Sequence, residues 1–400
     1  MADRRVDHLL IGGGIASATC AQALREAGAP GSVLLVGREL DPPYHRPPIT
    51  KGYLGGTEAR EDAFLPVPDD VEVLTRTSVL ALDPAARTAT LSTKETVAYD
   101  TALLATGAMV RRLPVDGAQL EGIHYLRALG NADALREDAA GAERVVCVGG
   151  SFIGCEVAAT LTALGRRCTV VLQEEEPLER SFGLQAGGYV RRVLEEHGVE
   201  VVCGVEVERF EAADGGDRVG AVVLAGGRAL PADVVVCGVG AQPDVMLARK
   251  SGLELGAHGG VRCDGRLRVV GADGLYAAGD MCEYDSAIHG RPVRIEHEEV
   301  AAAHGRTVAR NMLGAGADHV EVPYFWTDLA DWATLEYVGP AEAWDEEVVD
   351  GDPAAGAFTI WYLREGRLAA ALSAGGHADL DRARELLVSG EPVRAEALKR

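Results

Sequence analysis

No cationic excess, no long apolar run and no paired cysteines occur in this 400-residue chain, and each absence removes a class of protein. Basic residues number 39 against 61 acidic ones, a net charge of -22 that argues against nucleic acid and anionic membranes as partners. Most of that charge reads as a solvated acidic surface. Hydrophobic residues make up 47% of the sequence, enough for two or three domains with ample core. No run of them nears the roughly 18 residues of a membrane helix, so no membrane span is expected. The N-terminus, Met1-Ala2-Asp3-Arg4-Arg5, runs straight into an apolar stretch with neither signal nor transit character, and a cytoplasmic address is expected. The eight cysteines (Cys20, Cys147, Cys155, Cys168, Cys203, Cys237, Cys263, Cys282) form no C-x-x-C and no C-x4-C pair. They read as small core hydrophobes, with no redox dithiol and no metal site.

Glycine, by contrast, is abundant at 49 residues, and two clusters of it are placed where chemistry needs them. Ile11-Gly12-Gly13-Gly14-Ile15-Ala16-Ser17 and Val148-Gly149-Gly150-Ser151-Phe152-Ile153-Gly154 lie about 137 residues apart, each leaving an apolar strand and opening a helix. A strand ending in small residues lets the backbone approach a pyrophosphate, and the following helix start favours its charge. Either match alone is weak; the context strengthens both. The first turn follows Val6 to Ile11, precedes a helical run from Ala18 to Ala27, and leads to a strand at Val33 to Val36 with Glu39 beyond it. Ser17 replaces the third glycine and is small enough for helix to pack on strand. The second turn follows Arg144 to Val148, opens a helix through Leu164, and leads to Cys168 to Leu172 with Gln173 and Glu174 after it. Two such units in one chain point to FAD and NAD(P)H. A flavoprotein that reduces disulfides needs a cysteine pair or a low-pKa thiol at the flavin, and neither is evident here.

The pattern along the chain reads as one domain inserted into another, an α/β fold with two Rossmann-like units of the glutathione-reductase type. Residues 1–110 and 241–318 form a discontinuous FAD-binding domain, residues 111–240 the NAD(P)H-binding domain, and residues 319–400 a small α+β domain. Within the first lies a β region from Val71 to Val97. Arg111 to Gly141 reads as a connecting segment, and Val205 to Leu224 as a hairpin turning at Asp214-Gly215-Gly216. Strands are expected at Val199 to Cys203, Ala232 to Gly240 and from Leu275, and a helix from about Val300 to Leu313. The last part alternates at Thr334 to Val338, Phe358 to Leu363 and Leu368 to Leu372, then closes in a helix from Asp379 to Leu387.

Pro43-Tyr44-His45-Arg46-Pro47-Pro48-Ile49-Thr50-Lys51 is the most specific stretch. It resembles the P-Y-x-R-P-P-L-S-K segment of the FAD-dependent, NADH-linked ferredoxin reductases of oxygenase and P450 electron-transfer chains, relatives of apoptosis-inducing factor. Ala105-Thr106-Gly107, Gly238-Val239-Gly240-Ala241-Gln242-Pro243-Asp244, Ala277-Ala278-Gly279-Asp280, Arg294-Ile295-Glu296-His297 and Pro323-Tyr324-Phe325-Trp326-Thr327-Asp328 are similar to further signatures of that family, so the resemblance spans essentially the whole chain.

What the resemblance implies is a set of roles. Arg46 lies near the FAD phosphates, Lys51 near flavin N5, and Glu156 fixes the Lys51 ammonium; Lys51 and Glu156 are the catalytic pair. FAD, bound without a covalent link, draws on Gly12, Gly14, Ser17, Glu39, Val79, Ala105, Thr106, Gly107, Asp280, Glu296, His297, Glu298 and Trp326 as well. NADH, preferred over NADPH, draws on Gly149, Gly150, Ser151, Phe152, Ile153, Gly154, Glu174 and Gly240. Taken alone, Lys51 reads as a solvated lysine, Glu156 as a first-turn helix acid, Glu39 as a surface acid and Asp280 as a turn residue. Trp326 either covers the isoalloxazine edge or is core. The family's tryptophan is replaced by Glu298, as it is lost in apoptosis-inducing factor. Glu298 and Glu299 would then sit at a helix start where positive potential is wanted. The implied activity is electron transfer from NADH to an iron-sulfur ferredoxin by a monomer or homodimer, the alternative being an NADH-sensing flavoprotein.

Overall fold

The computed structural model describes residues 2–339, 341–378 and 380–399, apart from the side chain of Asp214. The chain divides into two compact units. One comprises Met1–His45, Glu61–Met109 and Gln242–Pro323; the other comprises Arg46–Arg60, Val110–Ala241 and Tyr324–Arg400.

In the first unit the strands Arg4–Ile11 and Val33–Val36 pair in parallel, with Leu10 opposite Leu35. Their apolar runs are continuous because a parallel strand is buried on both faces. The sheet order is Glu72–Leu74, Val33–Val36, Arg4–Ile11, Thr96–Leu104, Thr88–Leu91, Val79–Asp83, and Leu275–Ala277 joins Thr96–Leu104 in parallel. Helix Ile15–Glu26 starts three residues before the expected Ala18, directly at Gly14. Its neighbour, helix Glu298–Met312, begins two residues before the expected Val300. Gly305 lets the two approach: a Cβ there would lie 2.4 Å from the Ala16 carbonyl oxygen.

The second unit holds a parallel sheet ordered Glu200–Val202, Arg167–Val171, Arg144–Val148, Val234–Cys237, Ile123–His124. The expected hairpin is present as Val207–Ala212 against Val219–Leu224, joined through the turn at Ala213–Gly215. Arg111 to Gly141 is more than a connection, since it contains the strand Ile123–His124 and the 13-residue helix Leu129–Gly141. Only Leu129, Ala132, Leu135 and Ala139 of that helix are buried, a stripe too thin and alanine-rich to stand out as a periodic apolar face.

Residues from Tyr324 onward form a five-stranded sheet with antiparallel pairing, ordered Tyr324–Leu329, Ala333–Val338, Arg367–Ala374, Ala357–Arg364, Glu346–Asp352. The closing helix is Asp381–Ser389, and Asp379, where it was expected to start, lies outside the described residues. No helix among the described residues is long and apolar enough to cross a membrane. All eight cysteines are free thiols, seven of them buried and Cys203 half-buried. Burial raises the thiol pKa of Cys168 to about 11 and that of Cys237 to about 12, which keeps both protonated at neutral pH.

Candidate functional site

The first turn is shaped by one close approach. Gly12 has φ of +125°, and a Cβ on it would lie 2.0 Å from the Ala105 carbonyl oxygen, so only glycine fits between the two strand ends. Its N–H donates to the Val36 carbonyl at 2.8 Å. Gly14 then opens the helix with no side-chain cap, and no acid lies in the first helical turn. A Cβ on Gly14 would meet nothing within 4 Å. Ser17, fully buried, has an Oγ without a partner among the described residues. An uncapped helix start beside open space is what a pyrophosphate requires, so the residues present fit a dinucleotide.

Around this turn the other candidates of the first unit are placed by specific bonds. Glu39, beyond the Val33–Val36 strand, accepts from the Tyr44 hydroxyl, whose ring is buried. Thr77 N donates to the Gly37 carbonyl at 2.9 Å, bringing the chain ahead of the half-buried Val79 beside the turn. Ala105 N donates to the Ile11 carbonyl at 2.8 Å. Thr106 Oγ1 donates to the Asp244 carbonyl at 2.6 Å, Asp244 N donates to the Gly107 carbonyl at 2.8 Å, and the Asp244 carboxylate accepts from Arg38 at 2.7 Å. Asp280 sits in the short turn Gly279–Met281, where its carbonyl accepts from Arg294 at 3.0 Å. Gly279 N donates to Nδ1 of the buried His304 at 3.2 Å, and burial lowers the His304 pKa, which preserves that acceptor. Glu296 is exposed and pairs with Arg294 at 2.5 Å. His297 precedes the helix Glu298–Met312, and desolvation pushes its pKa down to about 4 against the opposing charge of Asp280.

Glu298 does not point into solvent. Its side chain is 12% exposed and pairs with His45 Nδ1 at 2.5 Å, and that hydrogen bond raises the His45 pKa. His45 is the variable residue of the P-Y-x-R segment, and the sequence alone assigned it no partner.

The second unit repeats the arrangement of the turn. Gly149 has φ of +104°, a Cβ on it would lie 2.4 Å from the Gly238 carbonyl oxygen, and a Cβ on Gly154 would lie 2.0 Å from the Gly149 carbonyl oxygen. Gly150 abuts Leu172, to which a Cβ would come within 2.6 Å. Ser151 spends its hydroxyl on the Gly238 carbonyl at 2.6 Å, so helix Phe152–Ala163 starts without a side-chain cap, and Glu156, read from the sequence as a first-turn acid, lies beyond that turn. Phe152 packs edge-on to Phe182 and Phe325, and Ile153 is half-buried. Gly240, with φ of +94°, accepts from Arg111 N at 3.0 Å. Glu174 is held by Arg180 at 2.5 Å, a partner the sequence reading missed because it lies past Pro177 on the next helix.

Lys51 and Glu156, 105 residues apart, are brought to 2.6 Å. The carboxylate also accepts from Thr50 Oγ1 at 2.6 Å and Thr327 Oγ1 at 2.7 Å, two partners the sequence did not single out. Arg46 donates to the Arg127 carbonyl, within this same unit. Trp326 is half-buried, donates from Nε1 to Asp328 at 3.1 Å and stacks on Tyr324. It occupies the opposite face of its strand from Thr327.

Residues 6–305 match the family described as pyridine nucleotide-disulphide oxidoreductase, and residues 324–399 match the one described as reductase C-terminal. The probable ferredoxin reductase CtmF of Castellaniella defragrans is 34% identical over 376 residues, 92% of this chain and 90% of that protein. The ferredoxin--NAD(+) reductase component of the anthranilate 1,2-dioxygenase system of Burkholderia cepacia is 34% identical over 390 residues, 96% and 94% of the two chains. Among solved structures, the covalent putidaredoxin reductase-putidaredoxin complex superposes with a TM-score of 0.92 at 29% identity, covering 100% of this chain and 96% of the other.

Proposed function

The chain belongs to the pyridine nucleotide-disulphide oxidoreductase family, and from that premise we propose that it is an FAD-dependent NADH:ferredoxin oxidoreductase serving a P450 or a Rieske-type oxygenase. The observation that carries the reading is the pairing of Lys51, the last residue of the P-Y-x-R-P-P-x-T-K segment, with Glu156 from a distant helix, in a chain whose thiols are buried or half-buried. Bound FAD supplies the conversion of a two-electron hydride into single electrons. The chain's own residues supply position and field. In this reading the turn at Gly12 to Ser17 holds the FAD pyrophosphate, Glu39 the ribose, and Asp280 the ribityl chain; residues 1–110 and 241–318 are the FAD domain. Residues 111–240 receive the nicotinamide cofactor on the turn at Gly149 to Gly154. Lys51, aimed by Glu156, places a cation where hydride arrives and stabilises the negative charge that follows.

We assign NADH as the preferred donor because Glu174 follows the Arg167–Val171 strand of the second glycine-turn unit, on the side where such units carry a ribose-reading acid, and a carboxylate there favours a 2'-hydroxyl over a 2'-phosphate. A kcat/KM at least about tenfold higher for NADH, equal to ~1.4 kcal/mol of discrimination, is expected; equal values for NADPH would overturn the assignment. The function itself is tested by anaerobic reduction with NADH followed by a ferredoxin and cytochrome c. Rapid reoxidation by ferredoxin supports it, whereas a long-lived charge-transfer band with no electron passed on would indicate a sensing flavoprotein.

A further inference from the structure

Glu156 receives three donors, and only the lysine belongs to the proposed chemistry. The other two are threonine hydroxyls from different parts of the second unit: Thr50, just ahead of Lys51, and Thr327, on the first strand of the C-terminal sheet. The Tyr324–Leu329 strand alternates, with Phe325, Thr327 and Leu329 buried and Tyr324, Trp326 and Asp328 half-buried. Phe325 packs edge-on to Phe152 at 5.3 Å, so this face is an apolar contact. Thr327 is 0% exposed within it. Valine has the same shape and no hydroxyl to satisfy, so a threonine here is costly unless its hydroxyl has a purpose. Among the described residues its hydroxyl donates to the Glu156 carboxylate, which can only accept.

The two carboxylate oxygens are used differently. Oε1 takes both the Lys51 ammonium and the Thr327 hydroxyl, and Oε2 takes the Thr50 hydroxyl. Thr50 is itself tied down, because Thr160, one helical turn after Glu156, donates to its carbonyl at 2.8 Å. With both oxygens bonded, the carboxylate plane cannot turn. Lysine is a point charge on a flexible four-carbon stem, so its direction depends on a fixed acceptor.

We propose that Thr327, together with Thr50, is a positioning residue: the C-terminal domain locks the Glu156 carboxylate, and through it aims the Lys51 ammonium for hydride transfer. The proposal rests on the reading of Lys51 given above. It makes the C-terminal sheet a participant in flavin reduction through one hydroxyl.

The test is single-turnover reduction of the FAD-loaded protein by saturating NADH under anaerobic conditions, with flavin content and NADH affinity measured alongside. Thr327→Val is expected to slow reduction about three- to tenfold at full flavin content and unchanged NADH affinity, and Thr327→Ser to restore it. In a Lys51→Met background, Thr327→Val should add nothing, since its effect passes through the lysine. Thr50→Val, measured in parallel, decides the matter if Thr327→Val does not fold. Wild-type reduction by the foldable valine variant, or a slowing undiminished in the Lys51→Met background, overturns the proposal. A slow Lys51→Met beside a normal Thr327→Val leaves the lysine assignment standing and removes the positioning role. A normal Lys51→Met removes the lysine assignment itself, and the positioning role with it.

Discussion

Replacing Gly14 by alanine separates what the fold needs from what the nucleotide needs. Gly14 has φ of -107° and ψ of -176°, ordinary values for alanine, and a Cβ there meets nothing within 4 Å. Alanine loses less chain entropy on folding than glycine but is a poorer helix cap, two effects of about 0.5–1 kcal/mol with opposite sign. The flavin-free protein should therefore melt within about 2 °C of wild type. The bound pyrophosphate, in contrast, would meet the new methyl group at the point where backbone must approach it. Hydrogen bonds from backbone N–H to a charged oxygen contribute about 1.5–3 kcal/mol each, so disturbing two of them costs about 3 kcal/mol, a weakening of FAD affinity of about a hundredfold. Gly12→Ala provides the contrast, because its Cβ would collide with the Ala105 carbonyl at 2.0 Å and damage the fold directly. The assay is FAD titration of flavin-stripped protein by fluorescence, with a thermal melt of the same sample. A Gly14→Ala protein with wild-type FAD affinity would refute the reasoning, whatever its melting temperature.

Two further predictions concern charge. Asp233 accepts from the Arg144 guanidinium and from the N–H groups of Arg144 and Glu143, which holds its pKa at about 2. Its folded value is depressed, so its stabilisation is present above the ordinary carboxylate range and is lost as pH falls from about 4 toward 2. Because the side chain is 32% exposed, Asp233→Asn should cost only about 1 kcal/mol at pH 7 in urea unfolding; a deficit that persists unchanged at about pH 2 would contradict the assignment. His45 shows the opposite sign. Glu298 raises its pKa, so the pair is fully formed below the ordinary histidine value and is lost as pH rises through the raised one. Above that pH, Glu298 carries an uncompensated charge at the start of a helix proposed to face the flavin. The flavin midpoint potential of wild type should therefore fall below that of Glu298→Gln by an amount that grows with pH, and potentials that coincide throughout a redox titration from about pH 6 to 9 would leave Glu298 without that role.

Local patterns made much of the fold legible. The strands Val33–Val36 and Arg144–Val148 coincide with their apolar runs, and both helices after the glycine turns are present, because a continuous apolar run ending in glycine needs no distant information. The thin stripe of Leu129–Gly141 and the acidic strand Glu346–Asp352 were hidden, since their burial depends on what packs over them. In the site, Lys51 and Glu156 were paired through the resemblance, whereas Thr50, Thr327, Arg180 and the His45–Glu298 bond were not.

The division has a physical basis. Glycine placement, strand and helix periodicity, and the lack of closely spaced cysteine pairs are properties of short stretches, so the amino-acid order alone pointed to two glycine turns between strand and helix and away from a C-x-x-C or C-x4-C dithiol. Which donors reach a buried carboxylate depends on side chains converging from positions 106 and 171 residues away. That convergence is set by sheet order and by the alternation of a distant strand, and only the tertiary structure decided it.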